Sequence, residues 1–140
     1  MRTMITGATI ALLLAAGFLP RAHADSAMNA APAGIPAGTG AAVYQHVCQG
    51  CHMANGRGAT GAGAGFPSFA GNTKLASAGY PIYVVLNGMG GMPWFNGELS
   101  NAQIAGVVNY IRTHFSNHYT DAAKPADVAA VRGPAPTMER

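Results

Sequence analysis

Five consecutive residues, Cys48-Gln49-Gly50-Cys51-His52, restrict the fold of this chain more than any other segment. The pattern C-x-x-C-H is the attachment signature of c-type haem, in which two thiols bond to the porphyrin vinyl groups and the adjacent imidazole binds iron. With two residues between them at the end of a helix, both sulfurs reach two edges of one rigid ring, and the next residue lies beneath the metal. The motif therefore predicts one covalently attached haem c, bound by Cys48 and Cys51, with His52 as an axial ligand of the iron.

A cofactor would also solve a problem of core size. The chain has 140 residues, which fits one small domain. It contains 19 Gly and many Ala, whose small side chains bury little area each. A group that brings its own apolar bulk would complete such a core.

The first 24 residues have the composition of an export signal. Arg2 provides a positive start, an apolar run extends from Met4 to Leu19, and Ala22-His23-Ala24 is an A-x-A cleavage site. The apolar run is shorter than the roughly 20 residues that a spanning helix needs, so an uncleaved membrane anchor is the less favoured alternative. We expect cleavage after Ala24, a periplasmic mature protein, and no stable membrane span after cleavage.

The distribution of charge excludes nucleic acid as a partner. The formal charge is +3, from 8 Lys and Arg against 5 Asp and Glu. Removal of residues 1–24 takes away Arg2 and Arg21, which leaves 6 basic against 5 acidic residues and a charge of +1. The remaining basic residues are scattered, so the chain lacks the basic patch of a nucleic-acid-binding protein.

Three other interpretations of the two cysteines stay open at this point. An exported protein can join two cysteines in a disulfide. A thioredoxin-like thiol pair is possible, although it would normally lie within a βαβ pattern that is absent here. A zinc site needs four ligands, and the remaining histidines of residues 25–140 have no paired ligand spacing; they are His46, His114 and His118.

The chain after residue 39 has the pattern of a small all-α domain. Val43, Tyr44 and Val47 lie at helical spacing and predict a short helix that ends at the cysteines. Ser100 and Gln103 form a capping box before an apolar stripe, which predicts a helix over residues 101–115.

The segments between and after these helices are less regular. Residues 54–65 are mostly Gly and Ala, which predicts no regular structure and a backbone wrapped closely around an object. Residues 81–87 favour a short helix that stops at Gly88, with a strand as the alternative. The Ala-rich residues 126–132 suggest one or two helical turns on the outside of the fold.

The second axial ligand is expected about forty residues after the motif. Met89 and Met92 offer two thioethers, and Pro93 fixes the backbone after Met92 in an extended loop. We favour Met92, with Met89 as the second choice and a role for both in filling the core as the alternative. His114 is less attractive because it lies off the apolar stripe of its helix.

Residues 40–115 resemble the class I, mitochondrial-type cytochromes c. The shared features, in order, are Gly40 and Tyr44 on the first helix, C-x-x-C-H at 48–52, Pro67, Met92-Pro93, and residues 107–111 of the last helix. The resemblance implies an all-α, small class I cytochrome c fold with three to five helices around one covalently bound haem c. It also implies that the Pro67 carbonyl accepts the Nδ1 proton of His52, and that Gly40 and Tyr44 pack against Val107 and Tyr110.

The same resemblance implies a function in electron transfer rather than catalysis. The chain lacks the lysine ring of the mitochondrial proteins and continues past the last helix, in which it is similar to single-haem cytochrome subunits of bacterial periplasmic dehydrogenases. We expect it to carry single electrons from such a dehydrogenase to a terminal oxidase or another cytochrome. The alternatives are a fixed subunit of a multi-subunit dehydrogenase and a C-x-x-C thiol or zinc module.

Four regions are expected along the chain. They are a signal peptide at 1–24, a flexible linker at 25–39, a cytochrome c domain at 40–116, and a C-terminal extension at 117–140 that packs outside the domain or is partly disordered.

Overall fold

The computed structural model describes residues 39–61 and 64–136, and these residues form helices joined by loops and one very short strand pair. The predicted signal peptide and residues 25–38 of the predicted linker lie outside this range. The helices are α1 (Gly40–Val43), α2 (Gln49–His52), α3 (Gly79–Asn87), α4 (Asn101–Thr113) and α5 (Pro125–Val131). The all-α prediction is confirmed. None of the helices in the described part of the chain is long and apolar enough to cross a membrane.

The first predicted helix forms, but a wider turn interrupts its regular spacing. A π-helical turn, Tyr44–Cys48, joins α1 to α2 without a break, so that the helical backbone runs from Gly40 to His52. Met53, at φ 64°, ends it immediately after the motif. The Tyr44 hydroxyl donates to the carbonyl of Met53 at 2.7 Å and fastens this end of the helix to the core.

The first helix crosses α4 at two glycines. A Cβ on Gly40 would overlap the carbonyl of Gly106 and lie 2.9 Å from the backbone nitrogen of Val107. The rings of Tyr44 and Tyr110 lie 5.3 Å apart at the same crossing. The predicted contact of Gly40 and Tyr44 with Val107 and Tyr110 is therefore confirmed, and Gly106 is a partner that the sequence reasoning missed.

Helix α4 begins as predicted and ends earlier. The Ser100 hydroxyl accepts from the backbone N–H of Gln103 at 3.2 Å, and the Gln103 side chain accepts from the backbone N–H of Ser100 at 2.9 Å. The predicted end at residue 115 is wrong, because Phe115 and Ser116 have φ values of 57° and 65° that no right-handed helix permits. The turn directs the Phe115 ring back to Tyr44, with 5.1 Å between ring centroids.

The short helix favoured for residues 81–87 forms as α3, and the alternative strand does not. It starts at Gly79, two residues before the prediction, and ends before Gly88, whose φ is 72°. Pro81 lies in the first turn, where a missing N–H costs no intrahelical hydrogen bond. The buried side of α3 consists of Pro81, Ile82, Val85 and Leu86.

The prediction that residues 54–65 lack regular structure is wrong at two places. Strands β1 (Thr60–Gly61) and β2 (Ala64–Gly65) pair antiparallel, with Thr60 opposite Gly65. The backbone N–H of Phe66 continues the pairing by donating to Ala59 at 3.3 Å. The small residues of this segment permit two strands to return on each other within a few residues.

The C-terminal segment is fastened to α4 by buried contacts. Val128 of α5 is fully buried. The Asn109 side chain accepts from the backbone N–H of Ala123 at 2.8 Å and donates to its carbonyl at 2.9 Å. The stretch predicted to form one or two helical turns thus forms α5, which starts at Pro125 and packs on α4.

A buried arginine joins three segments of the fold. Arg112 is 1% exposed and donates to the carbonyls of Leu75 at 2.8 Å and Ala76 at 2.9 Å. It also pairs with the Asp121 carboxylate at 2.5 Å and donates to the Asp121 carbonyl. The hydrogen bond from Arg112 is the main cause that lowers the pKa of Asp121 below its ordinary value.

Candidate haem site

A large cavity lies between the end of the first helix, α3, α4 and the loop that follows α3. Its volume is about 720 Å³, within the range of pockets that hold small molecules and cofactors in proteins. Most of its lining is apolar or aromatic. The lining includes Cys48, His52, Phe66, Pro67, Phe69, Leu75, Tyr80, Val84, Val85, Met89, Met92, Val107 and Ile111.

His52 is placed by the end of its helix and by aromatic neighbours. It is the last residue of α2 and is 7% exposed. Its ring stacks on Phe69 at 4.5 Å between centroids and meets Phe66 edge-on at 6.1 Å. The imidazole is therefore held in one orientation at the cavity wall.

The buried imidazole has one polar atom without a partner. Among the described residues, His52 Nδ1 has no hydrogen-bond acceptor. Burial lowers the pKa of His52, which favours the neutral ring that binds metals, and the Pro67 backbone opposes this lowering. The hydrogen bond from His52 Nδ1 to the Pro67 carbonyl that the resemblance implies stays a prediction.

The two cysteines differ in their relation to the cavity. Cys48 is partly buried and lines it, whereas Cys51 is exposed and is not among its lining residues; the two sulfurs are not bonded to each other. Burial raises the pKa of the Cys48 thiol to about 12, with Cys51 as a lesser cause. Redox-active thiol pairs have the opposite shift, toward a lowered pKa.

Two methionines face the cavity from a tight turn after α3. Met89 and Met92 exchange backbone hydrogen bonds of 3.1 and 3.0 Å across Gly90 and Gly91. Met92 is partly buried and packs against the core, whereas Met89 is 50% exposed. The Tyr80 hydroxyl donates to the Met89 sulfur at 3.7 Å, which engages that thioether at the rim. Met92 is therefore the better placed thioether.

The backbone around Met92 fits closely against the end of α3. A Cβ on Gly88 would lie 2.6 Å from the carbonyl oxygen of Met92 and 3.0 Å from the backbone nitrogen of Trp94. The backbone N–H of Phe95 donates to the Val85 carbonyl at 2.9 Å. Sequence reasoning treated Gly88 as a helix stop and missed its second role, the close approach of the loop.

The remaining histidines lie elsewhere. His46, His114 and His118 are exposed, and none of them lines the cavity. The His114 ring stacks on Tyr110 at 4.0 Å between centroids. In the described part of the chain, no group of three or more His, Cys, Asp or Glu side chains could hold a metal ion. The zinc interpretation thus finds no ligand set among these residues.

The residues present therefore fit a haem. The cavity has the size and apolar lining for a flat macrocycle, with an imidazole and a thioether contributed by separate elements and a cysteine beside the imidazole. The unpartnered His52 Nδ1 is the polar atom that an iron-bound imidazole directs to a neighbouring acceptor.

Known proteins similar to this chain agree with the geometry. The family model described as cytochrome C oxidase, cbb3-type, subunit III matches residues 36–111. The chain is also 30% identical over 106 residues to the cytochrome c subunit of alcohol dehydrogenase (quinone) from Gluconobacter oxydans (strain 621H). That match covers 66% of this chain but 22% of the relative, so the chain spans about a fifth of the relative's length.

The family match includes the C-x-x-C-H motif, Pro67 and both methionines, and it confirms the resemblance to c-type cytochromes. The chain therefore belongs to the family of c-type cytochrome domains represented by subunit III of cbb3-type cytochrome c oxidase.

Proposed function

We propose that this chain is a periplasmic cytochrome c that holds one haem c and passes single electrons between two larger redox proteins. The observation that carries the proposal is the cavity of about 720 Å³, which His52 and Met92 line from two different elements. In this proposal Cys48 and Cys51 form the thioether bonds to the haem. His52 and Met92 would bind the haem iron, and Pro67 would orient His52.

A bound haem supplies reversible one-electron chemistry at its iron. The protein determines how easily that electron is gained. The Met92 thioether is a soft ligand that favours the reduced metal, and the apolar walls formed by Val85, Val107 and Ile111 disfavour the additional positive charge of the oxidised metal. Both effects raise the reduction potential.

The same residues keep the site unchanged during electron transfer. His52 is fixed by Phe69, and the Met92 backbone is fixed against Gly88. Two ligands that stay in place in both oxidation states leave little structural change to accompany the electron. They also leave no coordination position for a substrate, which fits an electron carrier rather than an enzyme.

The proposed electron partners rest on the similar protein from Gluconobacter oxydans and not on the cavity. The relative is named as the cytochrome c subunit of a quinone alcohol dehydrogenase. We propose a periplasmic dehydrogenase as donor and a terminal oxidase or another cytochrome as acceptor. The name also supports the second candidate, in which the chain is a fixed electron-transfer subunit of such a dehydrogenase.

The proposed maturation and domain boundaries belong to the same hypothesis. Cleavage after Ala24 would release a periplasmic protein with a linker at 25–39, a cytochrome domain at 40–116 and an extension at 117–140. Intact-mass measurement of the protein purified from a periplasmic extract tests this. The expected mass is that of residues 25–140 plus one haem, and a mass that retains residues 1–24 would contradict the cleavage.

A redox titration of the holoprotein tests the function itself. We expect a single reversible one-electron transition, with isosbestic points that stay fixed throughout the titration. Two transitions would contradict the single haem, and the absence of a transition would contradict electron transfer.

Affinity purification from the native host distinguishes the two candidates. A free carrier is expected to elute alone at moderate salt. Stoichiometric recovery with a large dehydrogenase chain would favour the fixed subunit.

A further inference from the structure

The C-terminal segment reaches back to the loop that carries Met92. None of the residues between 117 and 136 lines the cavity. Arg132, directly after α5, nevertheless donates from all three of its guanidinium nitrogens to the segment 96–101. The family match ends at residue 111, so Arg132 lies outside it.

Arg132 makes short hydrogen bonds to acceptors on buried residues. Nε donates to the Asn101 side chain at 2.7 Å, Nη1 to the Asn96 side chain at 2.7 Å, and Nη2 to the Leu99 carbonyl at 2.9 Å. These three accepting residues are 5%, 8% and 3% exposed. The Asn96 amide in turn donates to the Gly133 carbonyl at 2.9 Å.

An arginine is suited to this arrangement. Its planar guanidinium presents donors in a fixed geometry, so three acceptors can be held at once. Hydrogen bonds from a charged donor are stronger than those between neutral groups. Within the described residues Arg132 has no carboxylate partner, and all three of its guanidinium nitrogens donate to this segment.

The segment held by Arg132 is continuous with the loop that carries Met92. Asn96 is four residues after Met92, and the intervening backbone is fixed to α3 by the hydrogen bond between Phe95 and Val85. On the other side of Met92 lie Gly90 and Gly91, where an added Cβ would contact nothing within 4 Å. The loop is thus held at Met92 by Gly88 and Met89 and on its C-terminal side by Phe95 and Arg132, with free space at the two glycines.

We propose that Arg132 is a positioning residue for the Met92 thioether, acting through the segment 96–101. By holding this segment against the start of α4, it keeps Met92 over the cavity and excludes competing ligands from the iron. The inference rests on the proposed function, because it requires Met92 to be the distal ligand, that is, the second iron ligand besides His52.

Binding of imidazole to the oxidised holoprotein tests the inference, because imidazole must displace the thioether. We expect Arg132→Ala to bind imidazole about tenfold more tightly, equivalent to about 1.4 kcal/mol. The thioether-to-iron charge-transfer band should weaken in parallel. Arg132→Lys keeps the positive charge but loses the planar guanidinium with its three donor nitrogens, so we expect an intermediate affinity for imidazole. This variant also serves if Arg132→Ala does not fold.

Val128→Ala is the matched control. It removes a fully buried side chain of the same C-terminal segment, and Val128 makes none of the side-chain hydrogen bonds to residues 96–101. We expect it to lower the unfolding temperature while leaving imidazole affinity and the charge-transfer band unchanged. Equal imidazole affinities in the Val128→Ala and Arg132→Ala proteins would overturn the inference.

A double variant separates this inference from the function on which it rests. In a Met92→Ala background, Arg132→Ala should change imidazole affinity no further, and a second increase would show that Arg132 does not act through Met92. If Met92→Ala alone leaves imidazole affinity and the charge-transfer band unchanged, the proposed ligand and the inference both fail. If Met92→Ala changes both but Arg132→Ala changes neither, the ligand stands and the inference fails.

Discussion

His52 and Met92 reach the cavity from different kinds of structure. His52 is the last residue of a helix, whereas Met92 lies in a loop whose backbone packs on Gly88 and pairs with Met89. The histidine is therefore fixed by local structure, and the methionine depends on contacts made by residues distant in sequence. We expect substitutions near Met92 to weaken the binding of its thioether to the iron while His52 stays bound.

Replacement of Met92 by Ala should lower the reduction potential. The expected shift is on the order of 100 mV, a fraction of the roughly 0.8 V that axial ligands span. Redox titration measures it, with Met89→Ala as the control because Met89 is half exposed and bonded to Tyr80. A shift in the control but none in Met92→Ala would move the distal ligand to Met89.

Replacement of Gly88 by Ala should disturb the same ligand from the backbone side. The added Cβ would contact the Met92 carbonyl at 2.6 Å, and a φ of 72° costs a non-glycine residue about 1–3 kcal/mol. We expect lower unfolding stability and a weaker thioether-to-iron charge-transfer band. Gly71→Ala is the control, since its φ of 66° is also positive and an added Cβ meets no atom within 4 Å; equal band loss in both variants would contradict an effect through the Met92 backbone.

Among the elements, the fold depends on how the first helix and the C-terminal segment, which includes α5, pack on α4. The first helix crosses α4 at Gly40 and Gly106, and α5 packs elsewhere on α4 through Val128. Arg112, near the end of α4, fastens the segment containing Leu75 to the segment containing Asp121. Helix α4 is thus the element against which the walls of the cavity are positioned.

The glycine crossing predicts a steric effect on stability. Gly40→Ala would place a methyl group against the Gly106 carbonyl, and overpacking of this kind costs about 1–3 kcal/mol. Denaturant unfolding of the holoprotein measures the loss. Gly50→Ala on α2 meets nothing within 4 Å, so it should be neutral or slightly stabilising; a similar loss at Gly50 would argue against the crossing.

The Arg112–Asp121 pair predicts a loss of stability in acid. The folded pKa of Asp121 is below its ordinary value of 3.8, so the pair stabilises the fold above pH 3.8. That stabilisation disappears as the pH falls through the lowered folded pKa. Asp121 is 71% exposed, so the effect should be modest and weaken with salt. Asp121→Asn should flatten this part of the pH dependence of the unfolding temperature, and an unchanged acid slope would contradict the prediction.

For the whole molecule, local signals in the sequence predicted the helices, and long-range contacts decided what the sequence left open. The capping box of Ser100 and Gln103 and the stop at Gly88 are local, so both were predictable. The left-handed backbone at Phe115 was not, because it depends on Tyr44, which is far away in sequence.

The candidate site divides in the same way. The C-x-x-C-H spacing identifies Cys48, Cys51 and His52 without a structure, because one helix end brings them together. The preference for Met92 over Met89 gained its physical reason from burial and from the contact of Met89 with Tyr80. The contacts of Arg132 join residues more than 30 positions apart, and no local pattern marks them.

Covalent haem attachment and Met92 ligation are both tested by the absorption spectrum of the holoprotein, expressed with cytochrome c maturation and recorded oxidised, reduced and after acid-acetone extraction. We expect haem that stays on the polypeptide, sharp low-spin bands when reduced, and a thioether-to-iron charge-transfer band when oxidised. Haem that is extracted, or a colourless protein, would contradict covalent attachment at Cys48 and Cys51. Attached haem without the charge-transfer band would contradict Met92 as the distal ligand.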